Sequence, residues 1–279
     1  MSINKKILMI GGSGYVGNEF ARQFKRLGIE TESISRSNGF DINNPNCFLT
    51  KFNKDEFDYS IFLSPVSGLN DPFNYNNISK FENNLIETFS YISEISNSKI
   101  IYFSSNNVFS GLNGPYHVNR TPDGTSWFSY AKLYAETLCK KYFKRHLIVR
   151  TSLLLDASYS SAFLTWVRSS LHSKLSIEVR DNIIVSPTLV PTVVADSINI
   201  LSTSNINLAH LSSGIQTSKF KIAHAIAKKF NYDKSLIILE KNNNNYLVNP
   251  GNYCLISNYS GQTEQSTKEI LNLFGGSFD

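Results

Sequence analysis

The stretch ILMIGGSGYVGNEF, residues 7–20, decides the fold, because an apolar run ends there in closely spaced glycines and an amphipathic segment follows. Glycines between a strand and a helix permit a tight turn and let the backbone approach a pyrophosphate, whose charge the helix N-terminus stabilises. The spacing alone is weak support, but its position between strand and helix favours a dinucleotide site over an ordinary glycine-rich turn. The predicted contacts of this turn are Gly11, Gly14, Tyr15, Val16 and Gly17.

Patterns typical of strands and helices alternate along the first half of the chain. Such alternation predicts an α/β fold of the Rossmann type, a doubly wound parallel sheet with helices on both faces. Beyond Thr151 the pattern is less regular, which predicts a smaller α/β substrate-binding lobe. The predicted strands are 6–10, 31–35, 59–64, 99–104 and 146–151, and the predicted helices are 14–27, 81–95, 129–143, 161–172 and 217–230.

These patterns divide the chain into two interleaved domains. The 279 residues, 41% of them hydrophobic, are enough for one large core and a smaller satellite. A dinucleotide-binding domain is expected over residues 1–150, with the last elements of its sheet from about 185–210. The substrate-binding lobe is expected from residues 151–184 and 211–279.

Composition restricts the partners of the protein. The net charge of +5 is spread along the chain, and no Lys/Arg run exceeds a pair, which argues against nucleic acid and suits a phosphorylated small molecule. No apolar run of about 18 residues and no signal peptide is visible, so a soluble, cytoplasmic protein without membrane contact is expected. The three cysteines are far apart and form no Cys/His cluster, which predicts reduced thiols and no metal site.

The end of the second predicted strand indicates which dinucleotide binds. An acidic residue there would bind the ribose 2′-hydroxyl of NAD(H), whereas a basic residue accommodates the 2′-phosphate of NADP(H). The chain has Ser35 and Arg36 and no acidic residue at the strand end, which favours NADP(H) over NAD(H), unless Arg36 is only a surface arginine. Asp41 and Ile42 are expected along the adenine, and Ser64 at the end of the third strand is a further predicted cofactor contact.

Six motifs in order give the chain a family resemblance. They are GGSGYVG, YFSSNNVFSG, GPY, FSYAKLYAE, LIVRTSLLL and NPGNYCLIS. With them the chain resembles the extended short-chain dehydrogenases/reductases, and within these the dTDP-4-dehydrorhamnose reductase type of sugar-nucleotide reductase, from Lys6 to about Ser257. The resemblance implies an NADP(H)-dependent oxidoreductase that reduces a 4-keto-6-deoxy sugar nucleotide, dTDP-linked in that family, in surface-polysaccharide biosynthesis. It leaves a homodimer open.

The same resemblance implies a catalytic group with one member altered. In the family a Ser or Thr positions the carbonyl, a Tyr donates the proton, and a Lys lowers the Tyr pKa and holds the nicotinamide ribose. Ser105 matches the hydroxyl residue and Lys132 the lysine, but Phe128 stands at the tyrosine position. Residues 128 and 132 share a helix face, so only the acid is missing. Tyr130 is roughly 200° around the helix from Phe128 and faces elsewhere.

The identity of the proton donor stays open, and so does the origin of the phenylalanine. Ser105 through water, Tyr116 and His117 are the candidate donors, and loss of general acid catalysis, typically worth about 10²- to 10⁴-fold, would leave a slow enzyme. The protein is either a natural member with another donor, a binding or regulatory subunit without turnover, or a Tyr-to-Phe variant made to trap a complex. Further departures from the family pattern at Asn106, Asn107 and Val118 favour natural divergence.

Substrate contacts are also implied by the resemblance. Arg150 follows the strand after the Lys132 helix, and an edge salt bridge is its alternative role. Pro187 and Thr188 match a Pro-Thr segment that shapes the sugar site, unless the prolines there only stiffen a turn. The predicted substrate-binding residues are Ser105, Asn106, Val108, Arg150, Pro187 and Thr188.

Overall fold

The computed structural model describes residues 5–64, 75–203, 205–240, 251–276 and 278. Asn249 and Pro250 of the NPGNYCLIS motif therefore lie outside the described residues. The first elements along the chain are β1 (Lys6–Ile10), α1 (Tyr15–Arg26), β2 (Glu30–Ile34), β3 (Tyr59–Phe62), α2 (Tyr75–Ile95), β4 (Lys99–Phe103), α3 (Trp127–Tyr142) and β5 (Arg145–Arg150).

The remaining elements include several strands of only two or three residues. They are β6 (Leu154–Leu155), α4 (Ala162–His172), β7 (Ile177–Val179), β8 (Ile183–Val185), β9 (Thr188–Leu189), α5 (Val190–Thr203), β10 (Leu208–His210), β11 (Thr217–Ser218), α6 (Lys219–Phe230), β12 (Ile237–Leu239), β13 (Gly251–Asn252), α7 (Gln262–Gln265) and α8 (Thr267–Leu273). Among the described residues, no helix is long and apolar enough to cross a lipid bilayer.

One sheet has six strands in the order β10-β5-β4-β3-β1-β2, and its strands β1 to β5 form the centre of the first structural unit. β1 pairs in parallel with both β2 and β3, and β4 continues the parallel pairing to β5. The chain starts at β1, moves outward to β2 and then crosses back to β3. The strand order therefore reverses between β1 and β3, and such a switch point is where open α/β sheets bind ligands. The predicted Rossmann-type fold is confirmed.

The two faces of this sheet are buried by different helices, because alternate strand residues point in opposite directions. Leu8 and Tyr102 pack in the core that α2 and α3 cover. Ile7 and Ile101 lie on the opposite face, beside Phe24 of α1. Each fully buried large aliphatic or aromatic side chain contributes about 1.5–3 kcal/mol, so burial on both faces explains the nearly continuous apolar runs of the strands.

Contacts along the chain separate two compact units. The first contains the described parts of Met1–Val108, Trp127–Val149 and Ser197–Leu208, and the second those of Phe109–Ser126, Arg150–Asp196 and Ala209–Asp279. In the second unit, strands in the order β11-β8-β13 and the pair β12-β7 accompany α4 and α6 around a separate apolar core. The segment between β4 and α3 thus belongs to the second unit, although both flanking elements belong to the first.

Two glycines let the turn after β1 close tightly. Gly11 has φ +81°, and a Cβ atom there would lie 2.7 Å from the main-chain nitrogen of Ser64. A Cβ atom on Gly17 would lie 2.3 Å from the carbonyl oxygen of Gly12, so α1 can begin only where this side chain is absent. Gly14, by contrast, has open space, with its nearest atom 3.8 Å away.

We expect Gly17→Ala to destabilise the protein by roughly 3 kcal/mol and to lower Tm by about 6–12 °C, because its methyl group would overlap backbone that cannot move aside. Gly14→Ala is the matched control and should change stability by less than about 1 kcal/mol. Thermal unfolding followed by circular dichroism checks both variants. Equal Tm values for the two would contradict the steric role of Gly17 in the turn.

Candidate active site

The glycine turn meets the end of β3 at the switch point. Gly11 lies against the backbone of Ser64, and the Gly11 N–H donates to the Ile34 carbonyl at the end of β2 over 2.7 Å. No side chain caps the first turn of α1, where Tyr15 and Val16 are half-buried. The N-terminus of an α-helix favours anions because its main-chain N–H groups and its dipole point toward them. The predicted Gly11, Ser64 and helix start are therefore brought together.

Sequence reasoning missed Gly12 in this turn. A Cβ atom on Gly12 would lie 2.3 Å from Ser33 Oγ of β2, so this glycine lets the turn pack against the second strand. The adjacent pair Gly11-Gly12 could have indicated this contact. The motif that predicts the turn has a glycine at every third position, and Gly12 is not one of them.

The segment after β2 presents Arg36 to solvent. Ser35 begins a single 3₁₀ turn over Arg36–Asn38, and its N–H donates to Asn38 Oδ1 over 2.5 Å. Asn38 Nδ2 donates in turn to the Ser33 carbonyl over 2.7 Å, which fixes the turn at the strand end. Asp41 Oδ1 accepts from the Asn43 N–H, and Ile42 is buried in the core of the first unit.

The predicted catalytic residues lie at the end of β4 and on the facing turns of α3. Ser105 Oγ accepts from the Asn107 N–H over 3.1 Å, at the start of a 3₁₀ turn in which Asn106 and Val108 are buried. Lys132 Nζ donates to the Phe103 carbonyl over 2.8 Å, two residues before Ser105. The structure therefore holds the Lys132 ammonium at the strand end that carries Ser105.

Phe128 presents its ring to the same ammonium. Lys132 Nζ lies 5.9 Å from the centroid of the Phe128 ring and 5.1 Å from that of Tyr102. Both distances are within the range of cation–π attraction. Lys132 and Phe128 thus keep the spacing that the sequence predicts, with an aromatic face in contact and no hydroxyl on the Phe128 ring.

Burial controls the charge of Lys132. Burial lowers the pKa of Lys132 to about 8, and the negative charge of Glu136 opposes that decrease. Glu136 Oε1 accepts from Ser104 Oγ over 2.5 Å, and both side chains are buried. Sequence reasoning missed Ser104 and Glu136, although Glu136 stands one helical turn after Lys132 on the same face.

The alternative proton donors are placed differently from one another. The Tyr130 hydroxyl donates to Glu82 of α2 and its ring stacks on Trp127, which confirms that Tyr130 faces away from Lys132. Tyr116 is buried in the second unit, where it stacks on Phe109 with 4.0 Å between centroids, while His117 is exposed. Of the three candidate donors, Ser105 belongs to the first unit. It lies two residues after Phe103, whose carbonyl holds the Lys132 ammonium.

In the second unit, Arg150 is buried rather than placed at an exposed edge. Its side chain is 2% exposed, its Cζ lies 5.4 Å from the Phe109 ring, and its Nη1 lies 3.5 Å from His210 Nε2. Pro187 and Thr188 are also buried: the Pro187 carbonyl accepts from Ser213 Oγ over 2.5 Å, and Thr188 Oγ1 donates to the Ser186 carbonyl. These three predicted substrate residues are therefore held by main-chain and ring contacts of the second unit.

His210 is held in one tautomer by its neighbours. Its Nδ1 lies 3.2 Å from the Tyr116 carbonyl, an acceptor only, so Nδ1 carries the proton and Nε2 faces Arg150 as an acceptor. Burial, with the nearby charge of Arg150, lowers the pKa of His210 to about 4. His210 is therefore neutral at pH 7 and leaves Arg150 as the cation of this cluster.

The glycine turn lies at the switch point of the sheet, and a buried lysine lies beside a serine at the end of β4. This combination places the protein in the class of Rossmann-type extended short-chain dehydrogenases/reductases. Comparison with family models extends this to a family: the model described as the RmlD substrate binding domain matches residues 5–246. The chain belongs to that family, as the sequence motifs predict.

Solved structures show the same fold at low identity. The chain resembles dTDP-4-dehydrorhamnose reductase from Bacillus anthracis in complex with NADP, with a TM-score of 0.77, 17% identity, and 98% of this chain and 94% of the other covered. The reductase from Yersinia enterocolitica matches with a TM-score of 0.77 and 16% identity, and the match covers 97% of this chain and 99% of the reductase. Bordetella bronchiseptica WbmG in complex with NAD matches with a TM-score of 0.70 and 10% identity, and the match covers 88% of this chain and 86% of WbmG. No curated protein matches the sequence.

The depressed pKa of His210 predicts an acid-dependent loss of stability. The unfolded chain binds a proton at His210 below about pH 6.5, whereas the folded protein does so only near pH 4, so stability falls as pH falls through that window, by about 3 kcal/mol in total. His210→Gln should remove this part of the loss between pH 7 and pH 4, measured by urea unfolding. His117→Gln, at an exposed histidine, is the control. An identical loss in wild type and His210→Gln would contradict the assignment.

Proposed function

We propose that the protein is an NADP(H)-dependent reductase of a 4-keto-6-deoxy sugar nucleotide, in which proton donation is altered because Phe128 takes the place of the family's tyrosine. The observation that carries the proposal is the anchoring of Lys132 at the end of β4. Its ammonium is bonded to Phe103 beside Ser105 and faces the Phe128 ring. A parallel sheet places this strand end at the same edge as the glycine turn after β1.

Binding of the dinucleotide is assigned to the edge around the switch point. The N–H groups at the start of α1 and the close approach of Gly11 to Ser64 suit a pyrophosphate. Arg36 is exposed on the turn after β2, where a guanidinium can pair with a 2′-phosphate. The B. anthracis reductase was crystallised with NADP and WbmG with NAD, so the nicotinamide is common to the relatives and Arg36 favours the phosphorylated form here.

The substrate is assigned from the two reductases. Both are named for a dTDP-linked dehydrorhamnose, so a keto-sugar nucleotide is the class of substrate that we propose for this chain. Ser105, Asn106 and Val108 are its proposed contacts, and the roles of Arg150, Pro187 and Thr188 stay predictions of the sequence.

We assign a separate role in the proposed reduction to each of three residues, Ser105, Lys132 and Phe128. A bound nicotinamide would supply the hydride. The Ser105 hydroxyl orients the substrate carbonyl, and the Lys132 ammonium holds the ribose and stabilises negative charge that develops on the carbonyl oxygen. Phe128 retains the cation–π contact but donates no proton. In this proposal the Ser105 hydroxyl relays the proton: it gives its proton to the carbonyl oxygen and takes one from a water molecule, which is the net proton source.

Restoring the hydroxyl tests the proposal. We expect Phe128→Tyr to raise NADPH oxidation with a dTDP-4-keto-6-deoxy sugar by about 10²- to 10⁴-fold while the Kd for NADPH stays the same, because only the general acid is added. The loss of NADPH absorbance measures the rate of oxidation, and calorimetric titration measures the Kd for NADPH. Tyr130→Phe, which removes the hydroxyl bonded to Glu82, is the matched control and should change neither.

Three outcomes of that experiment are distinct. Slow turnover in the wild type that increases in Phe128→Tyr supports a reductase with altered proton donation. Binding of NADPH and sugar nucleotide without turnover in either protein indicates a binding or regulatory subunit. Failure of both proteins to bind NADPH overturns the proposal.

The choice of dinucleotide has its own test. Arg36→Ala should weaken binding of NADPH by about 10- to 100-fold and leave binding of NADH nearly unchanged, because a charge-assisted hydrogen bond to the 2′-phosphate is worth about 1.5–3 kcal/mol. Arg26→Ala, at an exposed arginine in the last turn of α1, controls for the loss of one positive charge. A ratio of the two affinities that is the same in wild type and Arg36→Ala would remove Arg36 from the site.

A further inference from the structure

Two consecutive residues at the end of β4 are each bonded to one of two residues on α3 that lie one helical turn apart. The Phe103 carbonyl accepts from Lys132 Nζ over 2.8 Å, and Ser104 Oγ donates to Glu136 Oε1 over 2.5 Å. All four side chains are buried, with 8% or less exposed. Ser105 is the next residue, so both bonds are made immediately before the hydroxyl of the candidate active site.

Glu136 is also the charged neighbour of Lys132. The titratable groups that act on Lys132 are Glu136 and Cys139 of α3, and Tyr102 of β4 packs against it with the ring centroid 5.1 Å from Nζ. Burial raises the pKa of both Tyr102 and Cys139 well above their ordinary values, so both are neutral near pH 7. Among the described residues that act on this lysine, Glu136 therefore supplies the negative charge.

A buried carboxyl group costs free energy unless it is paired and hydrogen-bonded. Ala135 and Leu138 of α3 are buried with apolar side chains, whereas Glu136 is buried with a carboxyl group. The presence of a glutamate with a hydrogen bond to Ser104 and a lysine one turn away is explained by a role for its charge.

We propose that Glu136 is a positioning residue of the candidate active site, which anchors the β4 end at Ser104 and balances the charge of the Lys132 ammonium. The role rests on the proposed function in taking Lys132 as the catalytic lysine. It acts in two separable ways. The bond to Ser104 determines where Ser105 begins its turn, and the negative charge keeps Lys132 protonated although it is buried.

Titration of Lys132 in the ligand-free protein tests the charge. Lysine labelled with ¹³C at Cε reports the protonation of each amine by NMR, and Lys132→Arg assigns the signal. The wild-type midpoint is expected near 8. Glu136→Gln keeps an oxygen that can accept from Ser104 but removes the charge, so the midpoint should fall by about one pH unit or more, a tenfold change in proton affinity. Glu82→Gln, at the carboxylate that bonds Tyr130, should leave it unchanged.

A second variant tests the anchor and covers a failure of Glu136→Gln to fold. Ser104→Ala removes the hydrogen bond and keeps the charge, so the Lys132 midpoint should stay within a few tenths of a pH unit while kcat falls about 10-fold and the Kd for NADPH is retained. Glu136→Asp, with the carboxylate drawn back by one carbon, should lower the midpoint by less than Glu136→Gln does.

The results separate this inference from the proposed function. An unchanged Lys132 midpoint in Glu136→Gln, or in the equally uncharged Glu136→Met if the former does not fold, overturns the role of the charge. An unchanged kcat in Ser104→Ala overturns the role of the anchor. Because the midpoint is measured without ligand, a wild-type protein that fails to bind NADPH overturns the proposed function and leaves the electrostatic coupling of Glu136 to Lys132 standing.

Discussion

The close approach of backbone to backbone at the end of β1 is the constraint on which the rest of the first unit depends. Gly11 lies against Ser64, and Gly17 against Gly12, at distances that leave no room for a Cβ atom. Only this packing brings the start of α1 to the strand ends at the point where the strand order reverses. The proposed dinucleotide site at the switch point thus depends on one set of missing side chains.

A buried cation is the second determinant of the site. Lys132 is held by a main-chain carbonyl, by two aromatic faces and by the charge of Glu136, in surroundings that would otherwise remove its proton. Phenylalanine at position 128 is compatible with this arrangement, because an aromatic face attracts the ammonium with or without a hydroxyl. A phenylalanine at position 128 therefore leaves the aromatic support of Lys132 in place.

One segment of the second unit is flanked on both sides in the sequence by residues of the first unit. Residues Phe109–Ser126 lie between β4 and α3, yet the Tyr116 N–H donates to the Cys254 carbonyl and the Ile256 N–H donates to the Tyr116 carbonyl. The Tyr253 hydroxyl bonds the Ser110 carbonyl as well. These bonds join positions more than a hundred residues apart, so no local pattern indicates them.

The sequence by itself determined the fold class, the first five strands and first three helices, and the register of Phe128 and Lys132, because strand and helix periodicity and glycine spacing are local properties. The family followed from the resemblance of six motifs that occur in order along the chain. Tertiary structure alone decided that Gly12 is needed beside Ser33, that Glu136 meets Ser104, and that Arg150 is buried beside a neutral His210. Each of these depends on which distant elements pack together and how much water they exclude, and burial and charge coupling have no signature in a single stretch of chain.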